Sequence, residues 1–115
     1  MKPYCGNAAR LALEHRGWFL GHFVGEAGQP LHCEAVEIKW AEHRAGERRA
    51  AWSQCAASSL SILIRGRFRI QFPDEEFVLA EEGDFVVWGP DVPHTWHAEE
   101  DSLVLTVRWP SHPVE

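Results

Sequence analysis

The stretch Gly83-Asp84-Phe85-Val86-Val87-Trp88-Gly89-Pro90-Asp91-Val92-Pro93-His94-Thr95-Trp96 decides how this chain is read. Gly83-Asp84 is a turn signal, because glycine adopts positive φ without a steric cost and aspartate bonds its own turn. Phe85 to Trp88 is a short apolar run with the character of a buried strand. Pro90 and Pro93 remove backbone donors, so the chain cannot continue through them as a central strand. His94 is therefore delivered just past a rigid corner, opening another strand. A β-barrel places a polar side chain at the mouth of its cavity in this way.

Working outward, the rest of the chain is a succession of short apolar segments separated by turn signals. Cys33 to His43 alternates: Val36, Ile38 and Trp40 fall on one face, Glu37, Lys39 and His43 on the other. Arg44 to Arg48 turns around Gly46. Ala50 to Cys55 and Ser59 to Arg65 read as strands, and Arg67 to Phe72 is expected to pair with the latter across Gly66. Glu76 to Leu79, Phe85 to Trp88, His94 to Ala98 and Ser102 to Trp109 complete the set. Strands at this spacing without intervening helices predict a sandwich or barrel. Upstream, Asn7 to Arg16 is a short helix capped by Asn7 and ended near Gly17. Gly17 to Val24 reads as a strand and Gly25 to Pro30 as a loop. The expected organisation is one domain: an extension over residues 1–30 packed on a barrel over residues 31–110, then a tail over residues 111–115.

The Gly-Asp, strand, Pro-turn, Pro-His sequence resembles the second motif of the cupin family. Strand spacing extends the resemblance over residues 31–110. It implies an all-β fold, a double-stranded β-helix (jelly-roll) barrel, here with a short N-terminal helix. Many members hold one divalent metal with two His and a Glu from a first motif and one His from the second; His94 stands at that last position. The first motif departs from the family pattern. With Gly46 and Gly66 as its bounding glycines, the two His positions read Trp52 and Gln54 and the Glu position reads Ser59. Indole offers no lone pair, and Gln and Ser are weak neutral donors for a transition metal. No cofactor is therefore expected, and any metal would rest on His94.

Alternation then sketches a cavity. With His94 inward, Trp96 and Ala98 follow; with Ser59 inward, Ser61 and Leu63 follow; Trp52 and Gln54 share a face of their own strand. The expected ligand-binding set is Trp52, Gln54, Ser59, Ser61, His94 and Trp96. This is an aromatic-walled, modestly polar pocket suited to a small organic molecule. Each residue also has a purely structural reading. His94 can satisfy a backbone carbonyl, Trp52 and Trp96 can fill a core, and Gln54 can pair across a strand. His97 points outward by alternation. Arg108 is either a buried counter-ion or a surface residue.

Composition narrows the partners. The chain has 115 residues, 45% of them apolar, a net charge of −6 and six tryptophans. That suits one modest core and disfavours nucleic acid or an anionic membrane as partner. Arg44, Arg48 and Arg49 cluster, but Glu42 and Glu47 are interleaved, which reads as a solvated loop. The three cysteines, Cys5, Cys33 and Cys55, follow no metal spacing and are expected to be reduced thiols of a cytoplasmic protein. Neither GxSxG nor a P-loop occurs.

Three functions remain open on these residues. The first is a cupin-like protein that binds a small molecule without a required metal. The second is a cupin enzyme, isomerase- or oxygenase-like, with His94 as acid or base or in a non-standard metal site. The third is a dimeric structural or interaction module; the resemblance itself implies a homodimer.

Overall fold

The structure, a computed structural model, describes residues 2–112. Asn7 caps α1 (Ala8–Leu11), its side-chain oxygen accepting from the Arg10 backbone N–H at 3.0 Å. This satisfies one of the donors that a helix start leaves free. The helix is shorter than the expected span because it has no apolar stripe to bury: none of its residues is buried, and the following Leu13 is exposed. Gly17, at φ +102°, turns the chain into β1 (Trp18–Leu20).

Seven further strands follow: β2 (Glu37–His43), β3 (Ser58–Arg65), β4 (Phe68–Gln71), β5 (Glu76–Leu79), β6 (Phe85–Trp88), β7 (Thr95–Ala98) and β8 (Ser102–Trp109). They form two antiparallel sheets, one of five strands in the order β1-β2-β8-β3-β6 and one of three in the order β5-β4-β7. This is the expected all-β jelly-roll architecture. β1 hydrogen-bonds to β2, so the opening segment supplies a strand of the larger sheet.

One expected pairing is corrected. β4 does not pair with β3; it pairs with β5 and β7, while β3 lies between β6 and β8. Gly66 is the point where the chain leaves one sheet for the other. It sits at φ +103°, and a side chain there would collide with the Asp101 carbonyl and with Ser102. The Arg67 N–H donates to Ser102 Oγ at 3.1 Å, which holds the corner. Changing sheets lets β4 face β3 rather than extend its ladder.

The core lies between the sheets at one end. Leu63, Val86 and Val104 from the large sheet meet Phe68, Ile70, Leu79 and Ala98 from the small one. Burying a side chain the size of Leu, Val, Ile or Phe contributes about 1.5–3 kcal/mol. The three cysteines are free. Among the described residues, no helix is long and apolar enough to cross a membrane.

Candidate functional site: a cavity between the two sheets

The register of the large sheet fixes the site. Glu37, Arg108, Ser59 and Trp88 occupy one row across β2, β8, β3 and β6; Lys39, Thr106, Ser61 and Val86 occupy the next. Residues in such a row share a face, and the face alternates along each strand. Leu63 and Val104 lie in the core on this face, so the polar residues in step with them also point between the sheets. The small sheet answers with Phe68, Ile70 and Trp96. The result is a cavity of about 100 Å³, with Trp18 and His43 at its sides and Arg49, Ser53 and His94 arriving from the connecting segments.

His94 is placed by the corner after Val92. Asp91 adopts a left-handed φ of +61°, and its N–H donates to the Cys55 carbonyl at 2.7 Å. His94 and Ser53 then exchange two backbone hydrogen bonds of 2.9 Å each. The ring Nδ1 lies 3.1 Å from the Val92 carbonyl. A carbonyl only accepts, so Nδ1 carries the proton in this arrangement and Nε2 keeps its lone pair. Nε2 lies 3.4 Å from Ser53 Oγ. Burial lowers the His94 pKa, the Val92 hydrogen bond opposes this, and Arg49 and Arg108 reinforce the lowering. The ring is therefore uncharged at neutral pH. His43 is also pushed down, by burial and then by Lys39, against a smaller opposing pull from Glu47. Its ring centroid lies 4.3 Å from that of Trp96 and 5.2 Å from that of Phe68.

The polar row carries two further features. Ser59 is only 1% exposed, and its Oγ has no hydrogen-bond partner among the described residues. Beside it, Ser61 Oγ and Thr106 Oγ1 satisfy each other at 2.7 Å. A buried hydroxyl without a partner carries a desolvation cost of about 1–3 kcal/mol. Arg108 Nε lies 3.1 Å from Glu37 Oε2, but its N–H is not aligned with that oxygen, so the contact is an ion pair rather than a directed hydrogen bond. Glu37 is buried, and its Oε1 accepts from Ser111 Oγ at 2.9 Å. Ser111 Oγ in turn lies 2.7 Å from His22 Nδ1. The hydroxyl has one proton, and Glu37 receives it, so Nδ1 of His22 is the donor in that contact.

Four of the six expected ligand-binding residues, Ser59, Ser61, His94 and Trp96, line the cavity together. Trp52 and Gln54 do not: both are exposed, Trp52 by 55%, and Gln54 borders an outer groove instead. The segment from Ala50 to Cys55 is not a regular strand. It contacts the His94–His97 segment through isolated bridges, Arg48 with His97 and Ser53 with His94. Arg49 and Ser53 are four positions apart and so share a face, and that face lines the cavity. Trp52 and Gln54, one step out of phase with it, fall on the opposite side, not at the inward places the motif count gave them.

Sequence reasoning left Lys39, His43, Arg49 and Arg108 out of the lining. The alternation of Cys33 to His43 separated the two faces correctly but carried no sign of which one is inside. The buried Glu37 and Ser111 have no sequence signature at all, because their contact spans 74 positions.

A divalent metal does not fit this set. The family position for Glu holds a hydroxyl, the two positions for His lie outside the cavity, and Lys39, Arg49 and Arg108 bring positive charge to it. Among the described residues, no three His, Cys, Asp or Glu side chains converge as a metal site would need.

No protein-family model and no curated protein matches the sequence. Solved structures do match the fold. A cupin superfamily protein from Desulfitobacterium hafniense DCB-2 is 17% identical with a TM-score of 0.62, over 68% of this chain and 70% of the other. KdgF from Halomonas sp. is 22% identical with a TM-score of 0.63, over 70% of this chain and 74% of the other. The DMSP lyase DddQ from Ruegeria pomeroyi DSS-3 is 18% identical with a TM-score of 0.64, over 79% of this chain and 45% of the other. These likenesses show the fold: the two facing antiparallel sheets of this chain are those of a cupin jelly roll.

Proposed function

We propose that this protein binds a small organic molecule in the cavity between its sheets, without requiring a metal. The observation that carries the reading is Ser59: a buried hydroxyl with no partner among the described residues, on a residue that lines a cavity whose adjoining wall is polar. Proteins rarely leave such a group unsatisfied unless something else completes it. Trp88 and Trp96 supply flat apolar walls, and Nε2 of His94 offers an acceptor. Fragment-sized compounds screened by the indole N–H resonances of the six tryptophans test this. Binding is expected to shift the Trp88 and Trp96 signals and to weaken in Ser59→Ala. Shifts confined to Trp52 and Trp109, both exposed, would overturn the assignment.

His94 favours a second reading, catalysis on the bound molecule. An uncharged imidazole lining a cavity, its Nε2 lone pair engaged only by the long 3.4 Å contact with Ser53 Oγ, is a competent general base. The DMSP lyase DddQ, named above, shares the fold. Fold alone does not transmit activity. His94→Gln is expected to retain binding and lose any turnover.

The outer face of the large sheet supports the homodimer. Ile38, Val107, Leu60 and Val87 form one row there, and Trp40, Leu105, Ile62 and Phe85 the next. Phe85 and Val87 are 60% and 54% exposed. Such a stripe on an edge strand invites a second copy. Sedimentation is expected to give a dimer that Val87→Glu dissociates; a wild-type monomer at high concentration would remove this reading.

A further inference from the structure

We propose that the molecule held in the cavity is a small monocarboxylate, its carboxylate seated between Arg108 and Lys39. This rests on the ligand-binding reading above and adds the chemical class.

The argument starts from charge. The whole chain is acidic, at −6, yet the cavity lining contains Lys39, Arg49 and Arg108 and no Asp or Glu. Lys39 and Arg108 occupy neighbouring rows of adjacent strands on the same face. One indole covers both cations: Trp18 lies 4.0 Å from the Arg108 guanidinium carbon and 5.6 Å from the Lys39 Nζ. Two like charges beneath one ring repel, and an anion placed between them offsets that repulsion. Glu37 answers Arg108. Among the described residues, no carboxylate lies within ion-pair distance of Lys39. Beneath Trp18 one positive charge is thus left uncompensated. Arg49, which also has no ion-pair partner among the described residues, adds a second to the lining, so the cavity suits an anion whose carboxylate sits at Lys39 and Arg108. Burial, then Arg108 and Arg49, lower the Lys39 pKa. Holding it charged in the folded state therefore opposes folding, and a bound anion would relieve that cost.

Position and size refine the class. Arg108 is registered directly opposite Ser59, the residue with the orphaned hydroxyl. A carboxylate has two oxygens, one for the cations and one for an O–H donor. Glu37 and Trp18 fix the guanidinium from two sides, so little rotamer freedom is lost on binding. The cavity is about 100 Å³. A closed cavity of about 150 Å³ holds benzene, so the part of the occupant seated inside is smaller, on the order of three to five carbons. Its other end meets Trp88 and Trp96, which suits an apolar or hydroxylated carbon chain.

Matched acids and amides test the charge separately from the shape. Propionate, lactate and pyruvate are titrated against propionamide, lactamide and pyruvamide at fixed ionic strength, with inorganic phosphate as a further arm, read by the tryptophan resonances. At least one acid is expected to bind ten-fold or more tightly than its amide. Lys39→Met and Arg108→Gln are each expected to weaken that acid by ten-fold or more while leaving the amide within about two-fold. Lys39→Met keeps the test valid should Arg108→Gln unfold, because it removes the uncompensated charge beneath Trp18 and is expected to raise the urea midpoint. Equal binding of acid and amide would overturn the carboxylate and leave the ligand-binding reading standing. So would unaltered acid binding in Lys39→Met, or phosphate displacing every acid. Failure of acids, amides and neutral fragments alike would overturn both.

Discussion

The five-stranded sheet has two faces built to opposite rules. Its outer face, through Ile38, Trp40, Leu60, Ile62, Leu105 and Val107, is apolar from row to row. Its inner face is apolar only at the end with Leu63 and Val104, and then becomes polar through Lys39, Ser59, Ser61, Thr106 and Arg108. A sheet that only had to fold would carry its polar residues outside. Here half the inner face gives up core packing for groups that must be hydrogen-bonded or charged in a confined space. Such groups weaken a fold unless they are used. The difference separates the part of the interior that holds the protein together from the part that is available for a ligand.

Substitutions along β3 sharpen this contrast, since Leu63, Ser61 and Ser59 step from one zone to the other on a single strand. Leu63 is 0% exposed, and Leu63→Ala is expected to cost about 3 kcal/mol in urea unfolding, through lost burial and an unfilled cavity. Ser61→Ala is expected to cost about 1 kcal/mol, because it strands the Thr106 hydroxyl. Ser59→Ala is expected to stabilise the unliganded protein, by about 1 kcal/mol or more, because it removes an unpaired buried hydroxyl and loses no bond. A Ser59→Ala loss as large as that of Leu63→Ala would break the division.

Acidity probes the same boundary. His43 and His94 have folded-state pKa values below their ordinary 6.5, chiefly from burial. The unfolded chain takes up protons near 6.5, where the folded chain does not, so stability is complete above that pH and falls as the pH drops below it. The urea midpoint is expected to decline between pH 7.5 and 5.5, and His43→Phe should flatten the slope. A midpoint that rises on acidification would show that these rings gain rather than lose by charging.

Much of the fold was legible because its signals are local. The turn residues at Gly46, Gly66 and Gly83, the double-proline corner and the alternation of Ser59 to Arg65 each act within a few positions. His94, Ser59, Ser61 and Trp96 followed from that framework. The rest was hidden for two physical reasons. Alternation labels two faces without naming the inner one, so Lys39 and His43 went unassigned. The motif count from Gly46 to Gly66 was one residue out of phase on this segment, and a one-residue offset reverses the face, so Arg49 and Ser53 point inward where Trp52 and Gln54 were expected. The β3–β4 pairing failed on a sheet crossing that a glycine turn does not distinguish from a hairpin.

Trp18 gives the architecture a modular quality. The ring that covers Lys39 and Arg108 comes from a three-residue edge strand, while everything beneath it belongs to interior strands locked on both sides. An edge segment can be exchanged, lengthened or reshaped without dismantling the ladders behind it. Selectivity in this scaffold is thus open to revision at its rim, by editing the opening residues of the chain, while the anchoring charges stay where they are.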